Sequence, residues 1–144
     1  MTYKPEEYPM SNEANKALVS RFYDALQNGQ YDLIRELCHQ DFVFYAQVDM
    51  PHYGAEGFIA SEKKNLDAFK GFRMPIKALV AEGDQVAAYL EFEGIQSGEI
   101  AGVAPAGKRL RMSLMMLLRI ADGKIIEKRA HFDNADIKRQ LLGS

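Results

Sequence analysis

Arg111-Met-Ser-Leu-Met-Met-Leu-Leu-Arg119 runs directly into Ile120-Ala-Asp-Gly-Lys-Ile-Ile-Glu-Lys-Arg-Ala-His-Phe-Asp133. The first piece is a long apolar run, Asp122-Gly123 has the composition of a two-residue hairpin turn, and the second piece alternates in the manner of a strand. Alternation puts Glu127, Arg129, His131 and Asp133 nominally on one face. Ionisable groups gathered on one side of a strand require water, partners or a ligand, so this face is a candidate pocket floor. The run from Arg111 to Arg119 is apolar on both of its faces for much of its length, which predicts burial on both sides.

Outward from this hairpin, Ile76 to Ala81 and Gln85 to Gln96 are two further strand-like runs, separated by Glu-Gly-Asp. A Gly- and Pro-punctuated loop, Gly98 to Arg109, leads into the quoted stretch. The N-terminal half has a different period. Ser11 to Gly29 carries a capping residue, apolar Ala14, Leu18, Phe22, Ala25 and Leu26 at helical spacing, and an Asn28-Gly29 stop. Tyr31 to Leu37 predicts a second helix, Phe42 to Tyr45 a first strand, Asp49 to Gly57 a loop, and Phe58 to Gly71 a third helix. Helices segregated ahead of an antiparallel sheet argue for an α+β fold with the helices on one sheet face. The opposite face then needs its own cover, and a second copy of the chain is the simplest one, which predicts a homodimer through the sheet face.

With 144 residues, 47% of them hydrophobic, the chain fits one domain over residues 11–144, preceded by a flexible N-terminal tail at residues 1–10. A formal charge of -2, without any basic run interleaved with aromatics, gives no footprint for nucleic acid. No apolar run is long enough to span a bilayer, and residues 1–10 lack the pattern of a signal peptide, so no membrane association is expected. The single cysteine, Cys38, excludes an internal disulfide and reads as a buried thiol, consistent with a cytoplasmic protein. His39, His52 and His131 do not have metal-ligand spacing, and no Gly-rich loop follows a strand and opens a helix. Neither a metal nor another cofactor is expected.

Taken in order, Tyr23 to Leu37, Gly54-Ala-Glu-Gly-Phe58, Gly98 to Gly107 and Asp122-Gly-Lys-Ile-Ile-Glu127 resemble the SnoaL-like polyketide cyclases, within the nuclear transport factor 2-like and ketosteroid isomerase superfamily. The resemblance covers roughly residues 14–143. It implies a cone-shaped fold in which three N-terminal helices and a curved, mostly antiparallel sheet enclose a pocket, usually in a dimer. It also implies a hydrophobic small-molecule ligand, and either a cofactor-independent cyclase or isomerase that moves protons on a carbonyl compound, or a non-catalytic ligand-binding domain.

The resemblance places Asp133 at the position of an aspartate that serves the cyclases as general acid/base near the end of the last strand. Such chemistry requires a carboxylate in an apolar cavity, where desolvation raises its pKa towards the working pH. Asp133 also precedes an amphipathic turn, Asn134 to Leu142, and is a natural helix cap. His131 is a candidate proton shuttle. Arg129 is a candidate clamp for a carboxylate or enolate, or else an ion-pair partner of Asp133. Tyr23, Tyr45, Tyr53 and Tyr89 offer phenolic groups to a ligand, and His52 sits in a loop that borders the cavity mouth in this fold. The chain departs from the family on the last strand, where Glu127-Lys128-Arg129 replaces the common Glu-His-Trp, and on the first strand, where Tyr45-Ala46 replaces a His-Asp pair.

Overall fold

A computed structural model describes residues 10–143. Helix α1 spans Asn12–Gln27, and its Ser11 cap accepts a hydrogen bond from the Ala14 amide at 3.1 Å. Its buried face is built from Leu18, Val19, Phe22, Tyr23 and Leu26. Helix α2, Tyr31–Leu37, leads without a loop into strand β1, Cys38–Tyr45. A short strand β2, Pro51–Tyr53, pairs with β1 inside the segment expected as a loop. Helix α3 then occupies Gly54–Leu66. It starts earlier and ends earlier than its composition implied, because Phe69–Arg73 forms strand β3, with Phe69 paired to Gln96.

The remaining elements are β4 (Ile76–Glu82), β5 (Gln85–Gln96), β6 (Arg109–Ala121), β7 (Lys124–His131) and a C-terminal helix α4 (Asn134–Leu142). The sheet order is β2-β1-β7-β6-β5-β3, with β4 also pairing β5. All pairs are antiparallel except the first long strand with the last, β1 with β7. The β6–β7 hairpin closes through Asp122-Gly123 with φ of 54° and 72°, the positive values a two-residue turn of this twist requires. Register shifts interrupt the β1–β7, β3–β5, β4–β5 and β6–β7 pairings. Such irregularities bend a sheet, and here it wraps around α1 and α3. Gly94 permits the crossing of β3 over β5, since a Cβ there would lie 3.0 Å from the Phe69 Cβ.

The concave face of the sheet carries Val86, Ala88, Leu90 and Phe92 of β5 and Leu110, Leu114, Met116 and Leu118 of β6, all buried against the helices. The expectation that β6 is buried on both faces does not hold for the single chain. Met115 is 51% and Leu117 37% exposed on the convex side, which none of the described helices covers. The tail expected at residues 1–10 lies outside the described residues apart from Met10, which packs against the core.

Candidate functional site

Between the concave sheet face, α1, α3 and the start of α4 lies a cavity of about 300 Å³. Its wall is mostly apolar, with Leu26, Leu66, Phe69, Met74, Phe92, Leu110, Met112, Leu114, Met116 and Phe132 among its lining residues. Ile100 and Ala101 border it from the long loop, held by the buried Gln96, whose amide nitrogen donates to the carbonyls of Gly98 at 3.0 Å and Val103 at 2.8 Å. Among the described residues, the polar lining consists of Tyr23, Glu62, Asn65 and Asn134. Mostly apolar walls with a few polar groups are the usual composition of a small-molecule site, and the volume is at the small end of that class.

Glu62 follows from the sequence of α3, where Phe58, Glu62 and Leu66 recur every four residues and so share one helical stripe. An acid in an apolar stripe is carried into the interior with it. Burial raises the Glu62 carboxyl above the usual carboxylate range, and the positive charge of Lys128 acts against that rise. Tyr23 reaches the same cavity from α1. Its hydroxyl is buried with no hydrogen-bond partner among the described residues, and burial first, then the negative charge of Glu62, pushes its pKa well above the usual phenol value.

Lys128 lies directly behind this wall. It points from β7 to the concave face and is only 1% exposed. Its ammonium nitrogen is 4.7 Å from the centre of the Phe44 ring, 5.2 Å from that of Phe58 and 5.8 Å from that of Tyr23, with the Met116 sulfur at 3.5 Å. Burial pulls its pKa down from 10.5 to about 8, against the opposing pull of Glu62.

The residues singled out from the sequence are distributed differently. Of them, Tyr23 lines the cavity, while the alternating set on β7 faces out of the sheet. Arg129 does not pair with Asp133: its Nε lies 3.3 Å from a Glu127 carboxylate oxygen, and its guanidinium stacks 4.0 Å from the centre of the Tyr45 ring. His131 is exposed. Asp133 is also exposed and caps α4, accepting from the Asp136 amide at 3.1 Å. The Tyr89 hydroxyl donates to Glu91 at 3.1 Å, Tyr53 is 74% exposed, and His52 stacks on Phe44 at 5.7 Å. None of these seven side chains lines the cavity. Glu62, Asn65, Asn134 and Lys128 were not singled out, although two signals were present. Lys128 stands in the inward series with Ala130 and Phe132, and Glu62 interrupts the apolar stripe of α3. Among the described residues no group of three or more His, Cys, Asp or Glu could hold a metal ion.

A curved sheet wrapped around helices, with an interior apolar cavity and a few ionisable groups in its wall, defines a cone-shaped α+β fold. The family model for SnoaL-like polyketide cyclases matches residues 17–141, and the chain belongs to that family. A structure from Jannaschia sp. CCS1, described as a SnoaL-like polyketide cyclase, superposes with a TM-score of 0.86 at 24% identity, over 100% of this chain and 99% of that one. IdmH of Streptomyces antibioticus, described as a polyketide cyclase, gives 0.78 at 26% identity over 90% of this chain and 99% of that one. An epoxide hydrolase from M. tuberculosis gives 0.72 at 20% identity over 92% of each. No curated protein sequence matches the chain.

Proposed function

We propose that this chain is a cofactor-independent acid/base catalyst acting on a hydrophobic, carbonyl-containing small molecule, of the cyclase or isomerase type, with Glu62 as the group that moves the proton. The observation that carries this reading is that Glu62 supplies the carboxylate in a mostly apolar cavity whose wall also holds the Tyr23 hydroxyl, unpartnered among the described residues. In its ionised form the carboxylate takes a proton from the carbon next to the carbonyl. An O–H bond forms on Glu62, and the C–H electron pair moves into the enolate. Tyr23 donates its hydroxyl hydrogen bond to the carbonyl oxygen, where the negative charge develops. Asp133, the candidate that the family resemblance implied, and His131 carry no step in this reading.

The test uses 2-tetralone in deuterium oxide and follows loss of its α-proton signal by NMR. The wild-type chain is expected to accelerate exchange, with Glu62→Gln abolishing the acceleration and Asp133→Asn keeping it. Persistence of exchange in Glu62→Gln, or its loss only in Asp133→Asn, rejects Glu62 as the base. Saturable binding with no exchange in the wild type supports instead a non-catalytic binding domain.

The same reading includes a homodimer through the convex sheet face. Its support is the cross-strand row Val80–Ala87–Leu117 and its neighbour Ala78–Tyr89–Met115, an exposed apolar strip in register over three strands. Sedimentation of Leu117→Asp as a monomer beside a dimeric wild type is the expected result. One buried free thiol, Cys38, fits a reducing compartment such as the cytoplasm.

A further inference from the structure

A charged side chain with no place in the wall of the cavity is nevertheless the most deeply buried cation among the described residues. Lys128 sits on the concave side of β7, in step with Ala130, which is buried, and both Ala130 and Phe132 line the cavity. Among the described residues it has no carboxylate within 4.0 Å and no oxygen acceptor. Its hydrogen-bond partner among the described residues is the Met116 sulfur at 3.5 Å. The faces of Phe44, Phe58 and Tyr23 hold the ammonium by cation–π attraction, one ring each from β1, α3 and α1, so its position is fixed from three elements. Two of the side chains it touches, Tyr23 and Met116, are themselves cavity wall. The charge therefore lies one side chain behind the surface a ligand meets.

We propose that Lys128 is a positioning residue for Glu62, a fixed positive charge behind the cavity wall that balances the single negative charge of the site before and after proton transfer. This rests on the role proposed above for Glu62. Before the step the negative charge is on the Glu62 carboxylate. After it the carboxyl is neutral and the charge is on the substrate enolate. One buried cation serves both states, and the enclosed site never carries an uncompensated anion. The groups facing this pair are Tyr23 on α1, Tyr31 on α2 and Cys38 on β1. All three are neutral at pH 7, the two phenols raised from 10.0 and the thiol pushed up to about 12, and none of them carries a positive charge, so none replaces Lys128 as the counter-charge.

Coupling between two titrating groups is reciprocal: whatever factor Lys128 contributes to the proton affinity of Glu62, Glu62 contributes to that of Lys128. The experiment measures both without any substrate. Glutamate side chains are labelled at the carboxyl carbon and lysine at the carbon bearing the amine, and each is titrated by NMR in the full chain, with Glu62→Gln and Lys128→Met providing the assignments. Lys128→Met is expected to raise the Glu62 midpoint by a pH unit or more, a tenfold gain in proton affinity. Lys128→Arg is expected to leave it near wild type, and Glu62→Gln to lower the Lys128 midpoint by the same factor. Unchanged midpoints in both directions overturn the proposal. If Lys128→Met fails to fold, the Glu62→Gln arm decides alone. Because no ligand is present, loss of coupling leaves Glu62 standing as the base, and loss of 2-tetralone exchange in the wild type leaves the coupling standing.

Discussion

Replacing Lys128 by Met should make the protein more stable at neutral pH and remove one component of its pH dependence. The side chains are similar in length, and the buried charge is what the substitution takes away. A fall from 10.5 to about 8 is roughly 2.5 decades of proton affinity, which at ~1.4 kcal/mol per decade amounts to about 3 kcal/mol. Between these two values the folded chain has already released the Lys128 proton while the unfolded chain still holds it. The unfolded state then binds more protons and stability rises with pH. Below about pH 8 both states are protonated and that gain is absent. Two other groups act in the opposite sense. Cys38 is pushed up from 9.0 to about 12 and Tyr23 well above 10.0, so the unfolded chain ionises first at each and stability falls as the pH climbs. Both are present in the variant, so they drop out of the difference between the two proteins. Urea unfolding at half-unit steps from pH 7 to 10.5 should show the Met variant more stable by on the order of 3 kcal/mol at pH 7, with the gap closing as pH 10.5 is approached. Parallel curves, or a gap that widens with pH, would refute the assignment of a strained charge to Lys128.

Tyr23→Phe removes a buried hydroxyl that has no partner, and should leave folding stability equal or raise it by about 1 kcal/mol while weakening 2-tetralone binding, as read by calorimetry. Asp133→Ala loses the α4 cap and should cost about 1 kcal/mol in urea unfolding, with the exchange rate within twofold of wild type. Gly94→Val forces β3 away from β5 where the Phe69 and Phe72 side chains already approach a Cβ position. A loss of about 1–3 kcal/mol is expected, and thermal melting checks it. Glu62 has a raised carboxyl, so its contribution to stability is complete below the ordinary carboxylate range and is lost as pH rises through its folded-state pKa. Glu62→Gln should be more stable than wild type at pH 8 and lose that advantage on acidification.

The layers of this fold were readable because they rest on local signals: a capping serine ahead of helical spacing, an Asp-Gly turn between two apolar runs, and alternation along β5 and β7. The site was less readable, and β7 shows why. Its odd positions, Glu127, Arg129 and His131, carry the visible charge, and that charge marks the convex face, where Glu127 and Arg129 pair with each other. The informative residue was Lys128, one step along the chain from Glu127 and on the other side of the sheet. Glu62 escaped for a related reason. Its meaning depends on which face of α3 is buried, and the early start of that helix at Gly54, together with the strand at Phe69, sets this. The short strand β2 likewise exists only because β1 offers it an edge.

The parallel pairing of β1 with β7 has a consequence for how the protein is made. Val43 lies opposite Glu127, Phe44 opposite Lys128 and Tyr45 opposite Arg129, so the first long strand waits for the last before it gains its second neighbour. Contacts this distant in the chain form slowly, because the loop between them must be closed first. During synthesis the helices bearing Tyr23 and Glu62 leave the ribosome early, with their apolar faces uncovered. Until residues 124–131 emerge there is no strand to join β1 to β6, and the cation meant to sit beneath the cavity has not yet been translated. The pocket and its internal charge balance therefore arrive together, as one late event, and a nascent chain stalled short of Lys124 would expose an acid-bearing apolar helix to whatever chaperone or aggregate it meets first.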